Sequence, residues 1–235
     1  MKGPFVKFFR KCVDQIVLQL NSKLLRRCGY KIASYESIPY TKQILKNYEV
    51  FSDLISILEK NSVKGVFVEC GFGYGRSFAV ISHFAIKLNR KIYGFDSFNG
   101  FPNVLEIDYS FRNPIKGQWA VRTLKEAKKS IIKLGIFENN EAFELMELVF
   151  DKNTKNPIPN QKIALLHIDL DLYEGYKYAL EIFWDQIQIG GIILFDEYNH
   201  PRWPGATKAV NEFLVSKNIN HHQKEIRGKY FIIKE

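Results

Sequence analysis

Four short runs of the chain are almost wholly apolar and carry an acid at or beside their last position: GVFVEC (65–70), KIYGFD (91–96), KIALLHID (162–169) and GGIILFDE (190–197). Between them, apolar residues recur with a helical period over 76–89, 119–134 and 174–187. Strands that alternate with helices predict a parallel sheet covered on both faces, because only burial on both faces demands such continuous apolar strands. LMELVF (145–150) reads as a further strand. The tail HHQKEIRGKYFIIKE reads as two strands in a hairpin around Arg227 and Gly228. The expected fold is therefore α/β, with a doubly wound, mostly parallel, seven-stranded sheet.

Two more helical patterns precede it. Over 40–60, Leu45, Tyr48, Phe51, Leu54, Ile55 and Leu58 form one stripe, and from Phe5 to Leu25 apolar positions alternate helically with basic residues at both ends. Residues 1–60 thus read as an N-terminal helical region and 61–235 as the α/β domain. The first helix is expected to pack on the domain or on a second subunit, in keeping with a homo-oligomer. A stretch of this kind over 5–25 also suits peripheral contact with an anionic membrane.

Composition narrows the classes. With 235 residues, 46% of them apolar, the chain can bury one sizeable core. Cys12, Cys28 and Cys70 are odd in number and lack CxxC spacing, which argues against a disulfide framework or zinc site and for a reducing, cytoplasmic setting. No signal-peptide pattern follows the basic N-terminus, and no run reaches the ~20 apolar residues of a membrane span. The formal charge of +9 favours an anionic partner. Its basic residues are scattered and no RNA-binding appendage is apparent, so nucleic acid is not expected.

The sequence Glu69-Cys-Gly-Phe-Gly-Tyr-Gly-Arg-Ser77 links the first strand to a helix. Glycines here allow positive φ and close backbone approach to a ligand, and the helix N-terminus attracts an anionic group. The spacing is G-x-G-x-G, with Arg76 where a dinucleotide fold wants its last glycine. Glu69 would repel a pyrophosphate but suits a ligand with a cationic end, and Asp96, 23 residues after Gly73, stands where an acid accepts hydrogen bonds from a ribose. S-adenosylmethionine offers an ammonium, a sulfonium, a carboxylate and a ribose for these groups.

In doubly wound sheets, ligands bind beyond the carboxyl ends of the strands. Asp169 closes one strand, and Asp196 with Glu197 closes the next, so these oxygens are expected to converge on a hard divalent cation such as Mg²⁺. Asp171 lies past its strand end and reads as an N-cap or first-turn residue of the following helix. His167 reads as a hydrogen-bonded core histidine. His200, on a loop at the same edge, is the candidate base.

Together GVFVECGFGYGRS, YGFDSFNGFP, LLHIDLDLYEGYKYALE and GGIILFDEYNHPRWPGATKAVNEF resemble the macrocin and mycinamicin O-methyltransferase family, class I enzymes that methylate sugar hydroxyls. The resemblance implies S-adenosylmethionine as donor, surrounded by Glu69, Gly71, Gly73, Gly75 and Ser77, with Asp96 and Ser97 at the ribose. It also implies a metal on Asp169, Asp196 and Glu197, with Asp169 taking part in catalysis. The family usually shows Asp-Asp-Tyr where this chain has Asp196-Glu197-Tyr198. The aromatic loop 97–119 is expected to close over the acceptor. The basic charge suits a phosphorylated sugar, such as a nucleotide-sugar or a polysaccharide precursor. A catechol-type methyltransferase and a non-catalytic membrane-peripheral protein on the same fold are the competing expectations.

Overall fold

The computed structural model describes residues 38–133, 143–219 and 224–235, together with Ile16. The remainder of the amphipathic stretch 5–25, and with it the expected membrane and subunit contacts, lies outside the described residues. Two compact units divide the chain, Met1–Lys46 and Asn47–Glu235.

Along the chain run α1 (Ile38–Lys60), β1 (Val66–Cys70), α2 (Arg76–Lys87), β2 (Ile92–Asp96), α3 (Leu124–Lys133) and β3 (Phe143–Glu147). They are followed by β4 (Ile163–Ile168), α4 (Tyr173–Phe183), β5 (Ile187–Phe195), α5 (Pro204–Ser216), β6 (Lys224–Ile226) and β7 (Lys229–Ile233). The sheet order is β3-β2-β1-β4-β5-β7-β6. β1 to β5 are parallel, whereas β7 runs antiparallel to both β5 and β6. All of β4 is buried, which is why its sequence shows no alternation.

Local chemistry moves several boundaries from those the periodicity predicts. α3 begins at Leu124 rather than near 119 because Thr123 and Glu126 form a capping box: the Thr123 N–H donates to Glu126 Oε2 at 2.9 Å, and the Glu126 N–H to Thr123 Oγ1 at 3.3 Å. The third strand is β3, two residues earlier than LMELVF suggests, and it ends at Glu147. α5 is a helix that the strand-and-helix pattern did not single out. Pro204 opens it, and Ala206, Ala209, Val210, Phe213 and Leu214 supply its buried stripe against α4.

The chain passes from β1 out through β2 to β3, then returns to place β4 on the other side of β1. The carboxyl edge between β1 and β4 is thus the switch point where ligands bind in such sheets.

Candidate active site

Gly71 turns the chain at the end of β1 with φ +95°. A Cβ there would stand 1.7 Å from the Asp169 carbonyl oxygen. Glycine is therefore required by the approach of Asp169, the residue after β4, whose N–H donates to the Cys70 carbonyl at 2.8 Å. Gly73, at φ +46°, has open space where a side chain would project. Its N–H and that of Phe72 donate to Asp96 Oδ2 at 3.0 and 2.8 Å, while the Phe98 N–H donates to Asp96 Oδ1 at 2.7 Å. Asp96 thus braces the glycine turn against the loop after β2, and a free lone pair remains on Oδ1. Gly75 caps α2, and Ser77 lies in its first turn, facing Glu69. Ser97 serves its own loop: its hydroxyl donates to the Gly100 carbonyl at 2.7 Å and accepts the Asn99 N–H at 3.2 Å.

Beneath this turn runs a chain of charges, buried at Glu69 and His167 and partly exposed at Asp196 and Lys229. His167 Nδ1 lies 2.9 Å from Glu69 Oε1, and its Nε2 lies 3.6 Å from Asp196 Oδ1. Burial works against a charged imidazole, yet the two carboxylates outweigh it and raise the His167 pKa to about 10. Glu69 is fully buried, its pKa is raised by desolvation, and its Oε2 has no hydrogen-bond partner among the described residues. Asp196 is lowered despite burial, because His167 and Lys229 both favour its charged form. Lys229 donates to Asp196 Oδ1 at 2.5 Å and to the Asp196 carbonyl at 3.1 Å. Lys229, on β7, carried no sequence signal beyond its place in a hairpin.

The remaining acids form a second group. Asp169, Asp171 and Glu197 each place an oxygen within 4.8 Å of the others, and so, with one ligand atom each, do His167, Asp169 and Asp196. Asp196 and Glu197, adjacent in sequence, divide between the two groups, and Asp169 belongs to both. The N-cap of α4 is Leu172, without a side-chain cap, so the helix-capping role expected of Asp171 does not hold. The Leu172 N–H donates instead to the Leu170 carbonyl at 2.6 Å, folding Asp171 at φ +61° into a tight turn that brings it back beside Asp169. Desolvation and mutual repulsion raise the pKa of Asp169 to about 7 and push Asp171 and Glu197 well above the usual carboxylate range.

Two groups that the sequence reading missed hold this cluster. Tyr176, fully buried on α4, donates to Glu197 Oε2 at 2.5 Å and accepts the N–H groups of Asp196 and Glu197, both at 3.1 Å. Asp108, in the loop after β2, caps α4 in trans: its Oδ1 accepts the Tyr173 N–H at 2.8 Å. A tyrosine two residues after Glu174 on a helical stripe and an acid within a loop have no distinguishing pattern. His200 stands exposed on the turn before α5, where its Nδ1 accepts the Arg202 N–H at 3.2 Å.

A sequence profile described as Macrocin-O-methyltransferase (TylF) matches residues 32–231. The chain belongs to this macrocin O-methyltransferase family. It is accordingly an O-methyltransferase on a class I methyltransferase fold. A relative from Streptomyces olivaceus, 8-demethyl-8-(2,3-dimethoxy-alpha-L-rhamnosyl)-tetracenomycin-C 4'-O-methyltransferase, is 24% identical over 203 residues, covering 83% of this chain and 75% of that protein. Among solved structures, the O-methyltransferase NovP superposes with a TM-score of 0.69 at 22% identity, over 80% of this chain and 79% of that one. The calicheamicin methyltransferase CalS11 follows with 0.62 at 23% identity, over 89% and 96%. As a macrocin-type O-methyltransferase, the protein carries its glycine turn and acid cluster together at the switch point of the sheet.

Proposed function

We propose that this O-methyltransferase transfers the methyl group of S-adenosylmethionine to a sugar hydroxyl, with a divalent cation held at the acid cluster. The observation that carries the reading is the convergence of Asp169, Asp171 and Glu197 beside the glycine turn. The donor fits the turn: the unpartnered Glu69 Oε2 is a buried acceptor that an ammonium group would complete, and Asp96 Oδ1, which accepts one N–H, keeps a lone pair for a ribose hydroxyl. A hard cation such as Mg²⁺ fits the cluster, since its donors are nearly all oxygens and three neighbouring carboxyls are raised by desolvation and by mutual repulsion. Asp169, Asp196 and Glu197 would hold the cation. Bound there, it would lower the pKa of an acceptor hydroxyl and orient it.

The protein's own groups account for the rest of the chemistry. Asp171 accepts no hydrogen bond from the described residues and faces the cluster, which suits it to take the hydroxyl proton as attack on the methyl group proceeds. His200 is less suited to that role, being exposed and occupied by the Arg202 N–H. Lys229 and His167 hold Asp196, and Tyr176 holds Glu197, so the acids are positioned before substrate arrives.

The sugar acceptor is supported by the rhamnosyl group in the name of the Streptomyces relative and by a CalS11 structure titled as a TDP-rhamnose 3'-O-methyltransferase, with a TM-score of 0.56. The charge of +9 favours a phosphorylated sugar, such as a nucleotide-sugar or a precursor of surface polysaccharide. No helix among the described residues is long and apolar enough to cross a membrane. Methyl transfer from labelled S-adenosylmethionine to parallel panels of sugars, sugar nucleotides and catechols tests the acceptor class. Labelling of the sugars is expected, and labelling confined to catechols would overturn the reading.

A further inference from the structure

We infer that Arg112 recognises a phosphate of the acceptor and so makes a nucleoside diphosphate sugar the preferred substrate class, an inference that rests on the sugar O-methyltransferase reading. Arg112 lies in the loop between β2 and α3, and that loop is stitched over the site. Asp108 caps α4 just after the acid cluster, and the Ser110 hydroxyl donates to the Arg202 carbonyl at 2.8 Å while accepting the Arg112 N–H at 3.0 Å. The backbone of Arg112 is thereby fixed between the entry turns of α4 and α5.

Its side chain is held by aromatic rings. The guanidinium carbon lies 5.3 Å from the Trp119 ring centre and 5.8 Å from that of Trp203, and Trp203 in turn packs edge-on against Phe101 at 5.9 Å. The guanidinium has neither an ion-pair partner nor a hydrogen-bond acceptor among the described residues. Its positive charge is close enough to favour the ionised form of Asp171, one of the acids of the cluster. A cation needed only to balance the acids would pair with them, as Lys229 does with Asp196 at 2.5 Å. Arg112 does not, and its forked donors keep the geometry that suits bidentate binding of phosphate.

Trp119 against it, and Tyr109 and Phe111 in the same loop, are 46%, 53% and 72% exposed. Exposed rings beside an unpaired guanidinium provide stacking surface for a nucleobase next to a phosphate site, which a bare sugar phosphate would leave unused. The hydroxyl to be methylated would then meet Asp171, with the diphosphate directed outward to Arg112.

Calorimetry on the full chain, with S-adenosylhomocysteine and Mg²⁺ present, tests this directly. Thymidine diphosphate and uridine diphosphate are titrated beside thymidine and uridine. At least one diphosphate is expected to bind about tenfold or more tightly than its nucleoside. Arg112→Ala should remove that advantage, and Arg112→Lys should keep only part of it, since lysine retains the charge without the fork. Unchanged affinity for S-adenosylhomocysteine shows that each variant folds; if Arg112→Ala fails that control, Arg112→Gln takes its place. Equal binding of diphosphates and nucleosides by the wild-type protein overturns the inference, as does a diphosphate advantage that survives loss of the guanidinium. Methylation of neutral glycosides by a protein without that advantage would retain the sugar reading and remove only Arg112. Failure on every sugar would remove the sugar reading itself.

Discussion

Asp169 and Asp171 stand two positions apart, and spacing alone assigned one to a strand end and the other to a helix cap. The fold joins them, because the tight turn at Leu170–Leu172 brings both carboxyls to one cluster. Both Asp169→Asn and Asp171→Asn are therefore expected to lower kcat/KM by roughly a hundredfold or more. They should differ in calorimetry, where Asp169→Asn loses more Mg²⁺ affinity than Asp171→Asn. A fully active Asp171→Asn would return that residue to a structural role. The raised Asp169 pKa also gives a signed pH dependence. Its carboxyl holds a proton in the fold up to about pH 7, whereas the ordinary value is 3.8. The folded form thus binds more protons in that window, and Asp169 makes stability fall as pH rises through it. Thermal unfolding in chelator should show Tm dropping from pH 5 to pH 8, with Mg²⁺ reducing the drop. A drop of the same size with and without Mg²⁺ would contradict the buried, crowded acids as its cause.

At the level of elements, α4 carries the arrangement, since it supplies Tyr176 from within and receives Asp108 at its N-terminus. Tyr176→Phe leaves the Glu197 N–H and the Glu197 carboxyl short of a partner, while the Asp196 N–H keeps the Ile168 carbonyl, at an expected cost of about 1–3 kcal/mol in denaturant unfolding. Asp108→Ala removes a helix cap, and a loss of about 1–2 kcal/mol is expected by the same measurement. The central strands were readable in the sequence because strands buried on both faces leave continuous apolar runs. The edge strand β3 was placed two residues late, since its partly exposed pattern FELME offers a weaker signal. The start of α3 was masked by Trp119, Ala120 and Val121, apolar residues before Thr123 that mimic a helical period. For α5 the signal was present in Pro204 and the buried stripe after it.

For the whole molecule, one topological fact positions everything: β1 and β4 meet at the switch point, so the glycine turn and Asp169 touch through backbone. The glycine turn, the terminal acids and their common edge could be read from sequence, because each lies at the end of a strand. The partners of those acids could not, since Lys229 lies 33 residues beyond Asp196 and Asp108 lies 65 before Tyr173, brought together only by folding. Gly71→Ala should accordingly prevent a folded, cofactor-binding protein, as its Cβ would enter the Asp169 backbone, and circular dichroism with S-adenosylhomocysteine titration checks this. The central claim is that methyl transfer to a sugar hydroxyl depends on a cation held at the acid cluster. Its most direct test is labelled methyl transfer to the best sugar acceptor in chelator, followed by Mg²⁺ added back. Loss of turnover in chelator and its restoration by Mg²⁺ are predicted, whereas full turnover in chelator would contradict the claim.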